Sequence, residues 1–149
     1  MDTQSIQAPF QFLGSKITKV AQTNTFDYLD SGESLKRYAD VNYSIDEIAQ
    51  HDNLQFGTIS LYVKLQVLSS ANHYDISVDI QGTFFSDLSI DNENFKKMLG
   101  INGCTVLYSI VRAFIISLSS QSLIGGQIIL PMINTFKLIE KKETSGASN

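Results

Sequence analysis

A chain of 149 residues is long enough for one core but not for two, and with 43% hydrophobic, 17% charged and 10% aromatic residues it has a globular composition rather than a disordered one. The net charge is only −4, yet the nine acids between Tyr38 and Phe95 face a single base, Lys64, which disfavours nucleic acid as a partner and favours a basic segment. One cysteine, Cys104, rules out an internal disulfide and fits a reducing compartment.

The first ten residues, MDTQSIQAPF, carry no basic region leading into an apolar core, so no secretory signal is expected and the protein is read as cytoplasmic. Phe10 to Val20 begins as a strand, with Gly14 interrupting the alternation as a bulge or bend. Leu35 to Ile45 alternates more weakly through Ala39, Val41, Tyr43 and Ile45. Thr58 to Leu68 alternates strictly, with Ile59, Leu61, Val63, Leu65 and Val67 on one side. After a turn over Ser69 to Asn72, Tyr74 to Phe85 repeats the pattern, so the two form an antiparallel hairpin with one dry face.

The period then changes. Asp91 or Asn92 caps a short helix to Leu99, Gly100 and Gly103 punctuate, and Thr105 to Ser120 is a helix that is apolar around most of its circumference. Leu107, Ile110, Val111, Phe114 and Leu118 form its principal stripe, while Val106, Ala113, Ile115 and Ile116 extend the apolar surface beyond what one sheet covers. Because each buried large aliphatic side chain contributes about 1.5–3 kcal/mol, that second face is expected to meet another subunit or a client. Arg112 and the serines break the run, so nothing is expected to reach the length of a membrane span. Gly125 and Gly126 end this helix, Gln127 to Leu130 is extended before Pro131, and a last helix runs from about Ile133 to Lys142. Residues 1–8 and 143–149 are read as disordered ends. Strands followed by helices give a single α+β domain, a four-stranded antiparallel sheet with the long helix and the C-terminal helix packed on it.

Catalytic chemistry is thin. His51 and His73 lie in turns, no metal-binding cluster accompanies the one cysteine, and no phosphate loop or nucleophile elbow is present. Asp75 and Asp79 share a strand face at roughly 13 Å, too far apart for an acid/base pair. No enzyme, cofactor or metal is expected.

Several segments together resemble the SecB-type protein-export chaperones over nearly the whole chain. Phe10 to Thr18 (FQFLGSKIT) is similar to the first strand of that family, and Gln81-Gly82-Thr83-Phe84-Phe85 to its glycine-rich close before an aromatic. Leu107 to Arg112 follows the family's Leu, aromatic, three residues, Arg opening of the long helix. Leu130-Pro131 followed by Asn134 resembles the segment before the last helix. Gly103-Cys104 departs from the family's Cys-Pro, and its acidic strand position aligns with Val78, with Asp79 one residue away.

The resemblance implies an ATP-independent holdase for unfolded or precursor polypeptides, assembled as a dimer of dimers. Client binding would then fall to Phe84, Phe85, Leu123, Ile124, Ile128, Ile129 and Leu130, the subunit interface to Val106, Ile110, Ala113, Phe114 and Ser117, and docking of the translocase motor ATPase to Asp75 and Asp79. Alternatives are a SecB-like chaperone dedicated to one client such as an antitoxin, a non-chaperone interaction module on the same fold, and, more weakly, a small-molecule binder.

Overall fold

The computed structural model describes residues 8–29, 34–124 and 126–146. Four long strands, β1 (Gln11–Asn24), β2 (Lys36–His51), β3 (Leu54–Leu68) and β4 (His73–Asp87), form one antiparallel sheet in the order β1-β4-β3-β2. The two strictly alternating strands take the centre, since only a strand with neighbours on both edges and helix above it can bury every second side chain. Ile59, Leu61, Val63, Leu65 and Val67 of β3 and Tyr74, Ile76, Val78 and Ile80 of β4 are all buried on the same face.

Each edge strand is longer than its sequence pattern implies, because bulges shift the alternation part-way along. In β1 the shifts fall at Leu13, next to Gly14, and at Thr18. In β2 the extra residue is Asp46, beyond which the strand continues to a tight turn where Asp52 takes a positive φ of 55°. Residues 46–51 therefore belong to a strand that period-2 reading stops short of, and β3 starts at Leu54 rather than Thr58 because its first inward positions are Gln55 and Gly57.

The helical side needs one correction. Gly100 and Gly103 do not break the chain: α1 (Asn92–Met98), capped by the Asp91 carboxylate, passes through a π-helical turn (Leu99–Gly103) directly into α2 (Cys104–Ser122). The resulting run, Asn92–Ser122, has the length and composition of a membrane span, contrary to the sequence expectation. Here its inner face packs on the sheet through Phe95, Leu99, Leu107, Val111 and Ile115. The glycines serve close approach: a Cβ on Gly57 would lie 2.5 Å from Leu99, one on Gly82 2.7 Å from Leu107, and one on Gly103 3.2 Å from Ile59.

The last helix, α3 (Thr135–Gly146), extends further than expected, so residues 143–146 are helical, while 1–7 and 147–149 lie outside the described residues. It docks by Leu138 and Ile139 against the edge of the core, by a Thr135–Thr105 hydroxyl pair at 2.9 Å and by Lys142, whose ammonium lies 4.4 Å from the centre of the Tyr43 ring.

Candidate functional site: an apolar band over the helical layer

Between α2 and α3 the chain returns along the long helix as an extended segment, residues 126–134, and it is tied there by polar groups the helix projects. Ser119, fully buried, accepts a hydrogen bond from the backbone N–H of Ile128 at 2.7 Å. Arg112 Nε donates to the Leu130 carbonyl at 3.1 Å, and the Tyr108 hydroxyl donates to the Pro131 carbonyl. These partners step backwards along α2 as the segment steps forwards, so the two run antiparallel. Arg112 is thus a structural tie to a carbonyl.

An extended segment held this way must alternate. Ile128 and Leu130 are buried at 1% exposure, while Ile129 between them is 46% exposed. Ile124 before the segment is 77% exposed, Met132 near its end 80%, and Phe136 at the start of α3 67%. Ile124, Ile129, Met132 and Phe136 therefore trace an apolar band over the outside of the helical layer. At its far end, Phe136 joins Ile90, Met98 and Ile101 around a cavity of about 560 Å³, a volume able to take large side chains.

The seven residues expected to hold clients divide accordingly. Ile124 and Ile129 lie on the band, and Phe85 is half-buried on the opposite face of the sheet, beside Phe56. Phe84, Leu123, Ile128 and Leu130 need correction as surface residues: each is at most 3% exposed and belongs to the core. Phe84 faces the helices like Ile80 and Val78 and stacks on Phe10 at 5.3 Å between ring centres. Met132 and Phe136 were passed over, although a large apolar residue just after a proline and just inside a polar helix marks both.

Of the residues assigned to a subunit interface, Ala113 and Ser117 are exposed and Val106, Ile110 and Phe114 are half-buried. They lie on α2 away from Cys104, Leu107, Tyr108, Val111, Ile115 and Ser119, its buried face. Ile115 thus turns inward and Ile110 and Phe114 flank it. On β1, Phe12, Ile17 and Val20 face the helical side yet are 38–42% exposed, since α2 packs on β3 and β4 and meets β1 only at its end, where Ser122 bonds Gln22 and Asn24.

The far side of the sheet is concave and carries charged residues of both signs. A cavity of about 740 Å³ touches both edge strands, through Thr23 and Tyr38, and has Lys64 and Asp75 in its floor. Asp75 accepts from Thr23 Oγ1 at 3.3 Å and lies 2.6 Å from His73 Nδ1. Asp79 lies on the same face, between Lys19 of β1 and Tyr62 of β3 in register, whereas Val78 points into the core. Asp46, placed on this face by its bulge, collects Ser60 at 2.6 Å, Ser44 at 2.9 Å and Gln81 at 3.2 Å. Partial burial alone would raise its pKa, but those hydrogen bonds and the Lys142 charge outweigh it and hold the carboxyl below its usual range. Cys104, by contrast, is fully buried, which pushes its thiol up to about 12 against the opposing charge of Lys142. It is an inert core residue. Among the described residues no group of three His, Cys, Asp or Glu side chains could hold a metal.

The sheet order, the long helix across its centre and the returning segment together are decisive when set beside a solved structure. A SecB-like chaperone of Mycobacterium tuberculosis, in complex with a peptide from an antitoxin, superposes with a TM-score of 0.65 at 12% identity, over 87% of this chain and 95% of that one. The fold is SecB-like. A protein of unknown function from Streptococcus agalactiae aligns over 83% of this chain and 97% of its own at 11% identity, with a TM-score of 0.44. No protein-family model and no curated protein matches the sequence.

Proposed function

We propose that this SecB-like chain is an ATP-independent holdase that binds unfolded polypeptide, in the cytoplasm, without catalysis. The observation that carries the reading is the exposed band from Ile124 through Ile129 and Met132 to Phe136, ending in a cavity. Large side chains placed in water in sequence along one layer cost solubility, and an extended client covering them recovers that apolar area. Export precursors are the proposed clients, and Asp75 and Asp79 on the concave sheet face the proposed contact for a motor ATPase. Self-association through Val106, Ile110, Ala113, Phe114 and Ser117, as a dimer of dimers, would cover the remaining apolar face of α2.

A second reading, a chaperone dedicated to one client, is supported by the SecB-like neighbour that was captured with an antitoxin peptide. Client breadth separates the two. The test is capture of denatured model proteins by the wild type and by a variant carrying Ile129→Asp and Met132→Asp. Both sites are exposed, so the variant should fold and assemble normally and lose most of its capture. Unchanged capture would place the client site elsewhere.

A further inference from the structure

Met132 is 80% exposed, the most of any large apolar side chain among the described residues. It is also the one member of the band that an oxidant can change, because Ile124, Ile129 and Phe136 carry only hydrocarbon. Its backbone is held from both sides. The Tyr108 hydroxyl donates to the Pro131 carbonyl, Ile133 packs against the core, and the Thr135 hydroxyl pairs with that of Thr105 at 2.9 Å. The thioether therefore stays in water instead of turning inward. The other described sulfur groups are sheltered. Met98 is half-buried in the cavity wall. Cys104 is fully buried, and burial pushes its thiol up to about 12, so near neutral pH it offers an oxidant no thiolate.

We infer that Met132 is an oxidation-sensitive site at which peroxide switches client capture off. This rests on the holdase reading and deepens it by naming a regulation of the same surface. The step balances with hydrogen peroxide as the oxidant. The Sδ lone pair attacks one peroxide oxygen, and the S–O bond forms as the O–O bond breaks. Sulfur is oxidised by two electrons, and the departing hydroxide takes the proton of the transferred hydroxyl and leaves as water. The sulfoxide is a polar hydrogen-bond acceptor where a polarisable apolar group stood. Lying between Ile129 and Phe136 in the chain, it divides the band into shorter apolar pieces, and a client covering it must strip water from the new oxygen. The fold is spared, since the side chain is solvated in both forms. Sulfoxide reductases reverse the change, so capture returns when the oxidant is gone.

The test uses the full-length protein, and each protein is compared with itself before and after mild treatment with hydrogen peroxide. Peptide mass mapping follows which methionine gains an oxygen, and anisotropy of a fluorescent peptide with a central Phe-Leu pair follows capture. Met132 should convert ahead of Met98, and wild-type binding should weaken about five- to twentyfold, less than the full worth of one buried methionine. The urea midpoint should stay where it was. Untreated Met132→Gln, which carries a polar group of similar size, should bind as weakly as the treated wild type. Met132→Leu should show the same affinity after treatment as before it, and incubation of the treated wild type with reductases for both sulfoxide epimers should restore binding. Undiminished binding after full conversion of Met132, an equal loss in treated Met132→Leu, or a loss that comes with a fallen urea midpoint would overturn the inference while leaving the holdase reading in place. No binding by untreated wild type would overturn both.

Discussion

Ser119 shows how much one hydroxyl does in this chain. It sits inside an apolar helix, is fully buried, and supplies the acceptor for the Ile128 N–H as the returning segment meets α2. Ser119→Ala keeps the helix but leaves that N–H buried without a partner, and should lower unfolding stability by about 1–3 kcal/mol in urea titrations. Loss below half a kcal/mol would mean that water or another group reaches Ile128. Asp46 makes a different prediction. Its carboxyl is held below the usual range by Ser60, Ser44 and Gln81, so the folded pKa lies under the unfolded one. The associated stability is present above about pH 4 and is lost as pH falls through the folded value. Asp46→Asn should therefore be less stable than the wild type at neutral pH and should converge with it in acid. A constant offset across that range would contradict the assignment.

At the scale of elements, the legible parts were those governed by a single period. β3 and β4 declare themselves because a buried sheet face demands every second residue, and their predicted and observed inner faces agree. The edge strands were cut short because a bulge reverses the alternation: beyond Asp46 the inward positions of β2 change parity, and a period-2 reading stops at Ile45. Gly100 and Gly103 misled for a related reason. Glycine is a common helix stop, yet here its missing Cβ lets the π-turn lie against Ile59 on one side and Ile139 of α3 on the other. The candidate site was only half legible, since strict alternation of residues 127–131 sends Ile128 and Leu130 inward, and which parity faces α2 is set by Ser119 and Arg112. The helix-to-sheet distance is testable directly. Gly57→Ala would bring a methyl within 2.5 Å of Leu99 and 3.0 Å of Phe95, and should cost about 1–3 kcal/mol through overpacking. Gly14→Ala, with nothing within 4 Å, should be near neutral in the same denaturation series. Equal effects would show that the core beneath α1 yields freely.

For the whole molecule, the sheet separates two surfaces of opposite character. One side is a concave sheet face that carries Asp40, Asp75 and Asp79 beside Lys19 and Lys64, and the other is a helical layer with an apolar band. A fold that keeps such a band in water needs polar surface elsewhere to remain soluble, and the charged sheet face supplies it. The uncovered residues of β1 and the outer face of α2 are where a second copy would add cover. Holding unfolded chains is the central claim, and it is tested most directly by light scattering. A reduced model protein is diluted from denaturant into an about equimolar amount of this protein, without nucleotide, beside the variant carrying Ile129→Asp and Met132→Asp. The account predicts suppressed aggregation with the wild type and restored aggregation with the variant. Full aggregation in the presence of folded wild-type protein would contradict a general holdase and leave the single-client reading.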